Sequence, residues 1–311
     1  MLVFFIHGVA TRNNKYANEL MDKITEELSK RGQQVPIYYS SLWGGVLKNT
    51  PQLWNWVQQD LNDFQKNSKI DIGDVFQYSK YREFFVSHFF NDLFTYLNLD
   101  YGWEIRKVIA LQLLELLEKY PNENELHIVA HSLGGVILWD ILFSEKFKSD
   151  DPAFYIRSVI KGLAESKKKE SNQVSLDSIT TMGTPIVLFN LMLGISPENL
   201  KLFATKYTAQ PLRWVNIIRS SDPLAYPIRA SFNIDSPSQL FLRDRYIGSR
   251  ALWKKSAPYI SALGGLAIAH GLERSHTSYW RKSRVSRLIA ANILGDYAAI
   301  DSANPFKLDW F

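Results

Sequence analysis

The chain of 311 residues contains no cysteine. That absence excludes disulfides, thiolate metal sites and a cysteine nucleophile, and it leans towards a reducing compartment. Long apolar runs are missing as well. The longest nearly uncharged stretches, Ile186–Pro197 and Ala257–His270, fall short of the about 18 apolar residues that argue for a spanning helix. The N-terminus, MLVFFIHGVATR, has no basic segment ahead of its apolar run, so it does not read as a secretory signal. A cytoplasmic protein is expected, with peripheral membrane contact left open. HExxH, GxGxxG and Walker spacings are lacking, so neither a metal nor a nucleotide cofactor is expected. No zinc-finger or RNA-recognition motif occurs either, and nucleic acid is not an expected partner. Repeats and low-complexity tracts are absent, and nothing in the sequence sets an oligomeric state.

The composition is that of an ordinary folded protein. Apolar residues make up 46% and charged residues 22%, which excludes a disordered chain, a collagen or a coiled coil. The length allows two domains at most, or one large α/β domain with an insertion. The net charge of +5 conceals an imbalance: residues 1–200 hold 20 Lys+Arg against 24 Asp+Glu, whereas residues 201–311 hold 16 against 7. A basic C-terminal third is most often a solvated surface, and it could also face anionic lipid headgroups, an anionic substrate or nucleic acid.

Apolar periodicity gives the element order. Leu2–Ile6, Val35–Ser40, Leu126–Ala130, Ser178–Met182 and Trp214–Ile218 read as strands. Helical spacing marks Lys15–Arg31, Glu104–Tyr120, Leu133–Phe143 and a terminal helix over Ser278–Leu294. Short apolar strands alternating with helices predict an α/β fold with a mostly parallel central sheet and helices on both faces. The stretch Trp43–Trp103 breaks this rhythm, with 15 aromatic residues among its 61. Thr50-Pro51 reads as a helix start, and Tyr81–Leu97 is apolar around too much of a helix to bury on one side. This segment is expected to be a helical cap, residues 43–103, inserted into a single domain spanning 1–311. The polar Lys167–Asn172 reads as a surface loop.

The strongest chemical signal is HIVAHSLGGVILWD, His127–Asp140. A strand runs into Ala130-His131-Ser132-Leu133-Gly134-Gly135 and a helix leaves at once. A serine exposed above a sheet edge needs a sharp strand-to-helix turn, and small residues two before and two after it avoid clashes there. Ala130 and Gly134 fill those places, and Gly135 lets the new helix approach the sheet. The bland alternative is an ordinary strand–helix turn with a capping serine.

With this motif in its strand–helix context, the sequence resembles the α/β-hydrolase superfamily, and within it the lipase-like serine esterases, including poorly characterised bacterial members. Ala130 stands where a glycine is commoner. The resemblance covers most of the chain except the aromatic insertion. It implies an α/β-hydrolase fold and a triad in the order Ser, Asp or Glu, His. Ser132 would be the nucleophile. His276, just before the terminal helix, stands where the family has its general base, with His270 as the alternative. Asp222, after the strand at Trp214–Ile218, would be the acid, with Asp235 and Asp244 as competitors. The amides of Leu133 and Val9 would form the oxyanion hole, with Gly8 permitting close approach. His7-Gly8 matches the family's HG motif, and Thr181–Pro185 matches a structural turn after the next strand. An aromatic cap over a serine site suggests a small-molecule ester, lipophilic or lipid, as substrate, with Phe85, Phe89 and Phe90 as candidate contacts. Those aromatics equally suit the small core of a cap. The implied activity is carboxylic-ester hydrolysis in lipid metabolism. A thioesterase or amidase would use the same groups, and a hydrolase fold reused for lipid or protein binding is the non-enzymatic alternative.

Overall fold

The computed structural model describes residues 1–46, 50–68, 71, 91–160, 173–206, 211–229, 240–248 and 274–302. Its strands are β1 (Leu2–Ile6), β2 (Ile37–Ser41), β3 (Glu125–His131), β4 (Ser175–Met182), β5 (Leu212–Arg219) and β6 (Leu240–Ile247). The described helices are α1 (Asn18–Lys30), α2 (Thr50–Ser68), α3 (Asn91–Leu97), α4 (Leu99–Lys119), α5 (Leu133–Phe143), α6 (Pro152–Ser158), α7 (Ile186–Leu193), α8 (Pro197–Lys206), α9 (Ser283–Leu294) and α10 (Tyr297–Ser302).

Strands with no polar face must be covered on both sides, and the sheet obeys that rule. All six strands run parallel in the order β2-β1-β3-β4-β5-β6. Alternation splits the core in two. Leu2, Phe4 and Ile6 face α4, α5 and α6, whereas Val3 and Phe5 face α1 and α9. The change of face accompanies the change of direction, as right-handed crossovers require: β1 to β2 runs one way across the sheet, β3 to β6 the other.

Every residue of α5 is buried, including Asp140. That carboxylate accepts a 2.7 Å hydrogen bond from the Tyr96 hydroxyl, and the Lys146 ammonium lies 2.9 Å from its other oxygen, close but not aligned for a hydrogen bond. A buried charge needs such partners, since leaving it alone costs several kcal/mol. Lys146 approaches from beyond α5, whereas Tyr96 comes from α3 and so ties the region between β2 and β3 to the centre of the fold.

Helices α6, α7, α8 and α10 have no counterpart in the sequence expectation, and three further differences have a visible cause. β6, LFLRDRYI, was not expected; its charged positions suit an edge strand, with Arg243 and Arg245 both reaching Asp301. α4 starts five residues before Glu104, because the Asn98 side chain caps the amides of Asp100 and Tyr101. The expected terminal helix is split: a 3-10 turn over Ser278–Arg281 ends at Lys282, which is extended, and α9 starts afresh. Tyr279 is held by tertiary hydrogen bonds, which override local helical preference. The described parts of 43–103 are a 3-10 turn at Gly44–Val46, α2, α3 and the start of α4. Phe85, Phe89, Phe90, His270, Asp235 and Lys167–Asn172 lie outside the described residues.

Candidate functional site

In open parallel sheets, ligands bind beyond the carboxyl ends of the strands where the strand order reverses. Here that point lies between β1 and β3, in register from Leu2 opposite Leu126 to Ile6 opposite Ala130. The chain therefore leaves both strands side by side, as His7-Gly8 and as His131-Ser132. A Cβ on Gly8 would sit 2.5 Å from Ser132 Cβ and 3.1 Å from its Oγ. Only glycine fits there.

Ser132 has φ 53 and ψ −127, and with Ala10 it is one of two non-glycine residues of positive φ among the described residues. An L-residue adopts such a backbone only where its surroundings enforce it. They do so from three directions. The Ser132 amide donates to the Met182 carbonyl at 3.1 Å, and the Gly135 amide and Thr184 hydroxyl donate to the Ser132 carbonyl at 3.0 and 3.2 Å. Gly134 abuts the backbone of Ile6 and His7, and Gly135 abuts Thr184, so both glycines are needed for close approach.

Ser132, His276 and Asp222 are brought together. His276 Nδ1 lies 3.1 and 3.0 Å from the two oxygens of Asp222, and its Nε2 lies 2.7 Å from Ser132 Oγ. A carboxylate only accepts, so Nδ1 carries the proton and Nε2 accepts the serine hydroxyl proton. All three residues are buried. Burial pushes the Asp222 carboxyl pKa up. Hydrogen bonds from His276, the Leu224 amide and the Tyr279 hydroxyl outweigh it and leave the pKa below the usual carboxylate value. Asp244, the competitor, is elsewhere: it accepts from Asn216 and from the amides of Ile228 and Arg229.

The histidines of the motifs serve as supports. His131 Nε2 donates to the His276 carbonyl at 2.8 Å, and the two rings lie 4.8 Å apart. Burial, and then the neighbouring His276, lower the His131 pKa to about 3, so it stays neutral. His7 stacks on Trp43 at 4.6 Å; the Trp43 amide donates to its Nε2 at 3.1 Å, and the Trp43 indole donates to its carbonyl. With Nε2 accepting, Nδ1 must carry the proton, and it donates to the Gly8 carbonyl at 2.6 Å. Burial takes the His7 pKa to about 4.

Leu133 is the first residue of α5, so its amide has no partner within the helix. Val9 follows Gly8 in the loop beside Ser132. The Thr181–Pro185 turn packs against the acid: a Cβ on Gly183, which has φ +60, would lie 2.9 Å from Asp222 Oδ2. Sequence reasoning missed Tyr279, whose hydroxyl donates to Asp222 at 2.9 Å and accepts from the Arg219 amide. It missed Trp43 and Asp92 too. The one available signal was Asp92 itself, a carboxylate within an aromatic run, which has to find a cation or donor if buried.

Chemically, a serine hydroxyl on an imidazole that is oriented by a carboxylate can lose its proton as it attacks an electrophile. Among the described residues there is no cluster of three or more metal-ligating side chains. No helix among them is long and apolar enough to cross a membrane. Comparison with models of known families and with curated proteins finds no match.

Proposed function

We propose that this protein is a serine hydrolase that cleaves carboxylic esters through an acyl-enzyme. Ser132 attacks the acyl carbonyl, and His276 takes the hydroxyl proton and returns it to the leaving alkoxide. Asp222 orients the imidazole and stabilises its charged form, and water attacking by the same route frees the acid. The amides of Leu133 and Val9 hold the oxyanion. The observation that carries this reading is the continuous chain from Asp222 through His276 to Ser132 Oγ, ending on a serine whose backbone is forced into a positive φ beside a glycine loop.

A lipophilic acyl group is the favoured substrate class. The support is the aromatic content of residues 43–103 and helix α7, which begins two residues after Thr184 and exposes Leu188, Leu191 and Met192.

Labelling by a fluorophosphonate tests the mechanism without a guess at the substrate. Wild type should label, Ser132→Ala should not, and His276→Ala should label at least about 100-fold more slowly, since a general base contributes about 10²–10⁴. Undiminished labelling of Ser132→Ala would sink the mechanism. Failure of folded wild type to label, with and without detergent, would favour a binding module. A chain-length series of p-nitrophenyl esters then tests the acyl preference, and a maximum at acetate would exclude a lipase-like role.

A further inference from the structure

The loop after β1 carries a second strained residue that the serine site does not explain. Ala10 has φ 60, a conformation that L-residues other than asparagine and aspartate rarely adopt. Its amide donates to Asp92 Oδ2 at 2.7 Å. Arg12, two residues further on, donates to the same carboxylate through both terminal nitrogens, at 3.2 and 2.9 Å. The Asp92 side chain is fully buried while Arg12 is 37% exposed. One buried carboxylate thus closes a ring of three hydrogen bonds around the strained peptide.

Asp92 comes from far away. It belongs to α3, 82 residues after Ala10, in the aromatic stretch between β2 and β3. Among the described residues its carboxylate accepts only from Arg12 and the Ala10 amide, and an exposed arginine by itself would pair as well with a surface carboxylate, at no desolvation cost. The contact particular to Asp92 is the one it makes with the Ala10 amide. With Gly8 against Ser132 and Ala10 on Asp92, both neighbours of Val9 are fixed, and the direction of the Val9 amide is set between them.

We propose that Asp92 is a positioning residue for the oxyanion hole: its carboxylate locks the β1 loop in the conformation that aims the Val9 amide at the substrate oxygen. The inference rests on the ester-hydrolase reading. It gives the insertion a role beyond covering a substrate, since the site reaches full activity only when α3 is docked.

The test compares wild type, Asp92→Ala and Asp92→Asn in p-nitrophenyl ester hydrolysis, with rates normalised to sites titrated by fluorophosphonate. Inhibition by an alkyl boronic acid, whose serine adduct is tetrahedral and anionic, is measured alongside. Loss of a whole oxyanion-hole donor lowers kcat about 10²–10³-fold. A misaimed donor should cost less, so Asp92→Ala should lower kcat about 10–100-fold, leave KM within about threefold, and weaken the boronate by a factor similar to that in kcat. Asp92→Asn keeps an acceptor for Ala10 and should stay within about threefold of wild type on both measures. If Asp92→Ala does not fold, Asp92→Ser takes its place, being too short to reach Ala10 and leaving room for water. Unchanged kcat and boronate affinity per titrated site would overturn the positioning role alone. Absence of titratable sites in wild type would overturn the hydrolase reading beneath it.

Discussion

Around Ser132, single atoms decide what is tolerated. The space beside its side chain is filled by the backbone of Gly8, and even a methyl group there would overlap Ser132 Cβ. Gly8→Ala should therefore push the loop or the serine out of place without emptying any core. The expected outcome is a fall in kcat per folded molecule of at least about 100-fold, the scale of a lost oxyanion donor. The thermal midpoint should move by no more than a few degrees. A variant that keeps its activity would show that the loop can shift without consequence. The serine, the flanking glycines and the His-Gly pair were legible in the sequence because tight turns demand those residues locally. Tyr279, Trp43 and Asp92 were not legible, because each acts on a partner at least 36 residues distant, and hydrogen-bonding potential alone names no partner.

The elements place these atoms. α9 ends at Gly295 in the left-handed conformation, and its last carbonyls receive a buried guanidinium: Arg213 donates to Asn292 and Ile293 at 2.8 and 3.1 Å. A cation at a helix C-terminus satisfies orphan carbonyls and opposes the helix dipole. Arg213 is the second residue of β5, at the end of the sheet remote from Ser132. Arg213→Leu should accordingly cost about 1–3 kcal/mol, the range for buried polar groups left unpaired, with kcat per folded molecule unchanged. Urea unfolding beside an active-site titration checks both. Part of the basic charge of the C-terminal third is thus already paired within the chain: Arg213 caps a helix, and Arg243 and Arg245 pair with Asp301 at the surface.

At the scale of the whole molecule, the fold encloses three neutral histidines among the described residues. Burial lowers His7 to about 4 and His127 and His131 to about 3, against about 6.5 in an unfolded chain. The unfolded state therefore binds more protons between those values, so stability is complete above pH of about 6.5 and is lost as pH falls towards 4. From pH 7 to pH 5 each histidine should remove about 2 kcal/mol. Together that approaches the total stability of many domains, about 5–15 kcal/mol. Urea midpoints at the two pH values should differ sharply, and His127→Gln should reduce the difference by about a third. Equal midpoints would mean that these rings are solvated.

The sequence by itself determined the parallel α/β architecture, most strand and helix positions, and the strand–Ser132–helix turn. All of these follow from local periodicity and from the steric needs of consecutive residues. Only the tertiary structure decided that β1 and β3 are neighbours at the reversal of strand order, which sets Gly8 against Ser132. It alone brought Asp222 and His276 to that serine and left Asp244 in a structural role. Strand β6 and the break at Lys282 were also tertiary decisions: an edge position accepts charges that local pattern reads as non-strand, and the fixed place of Tyr279 outweighs the helical preference of its neighbours. Which pairs meet across 54 or 144 residues depends on how helices close over a sheet, and no local pattern carries that information.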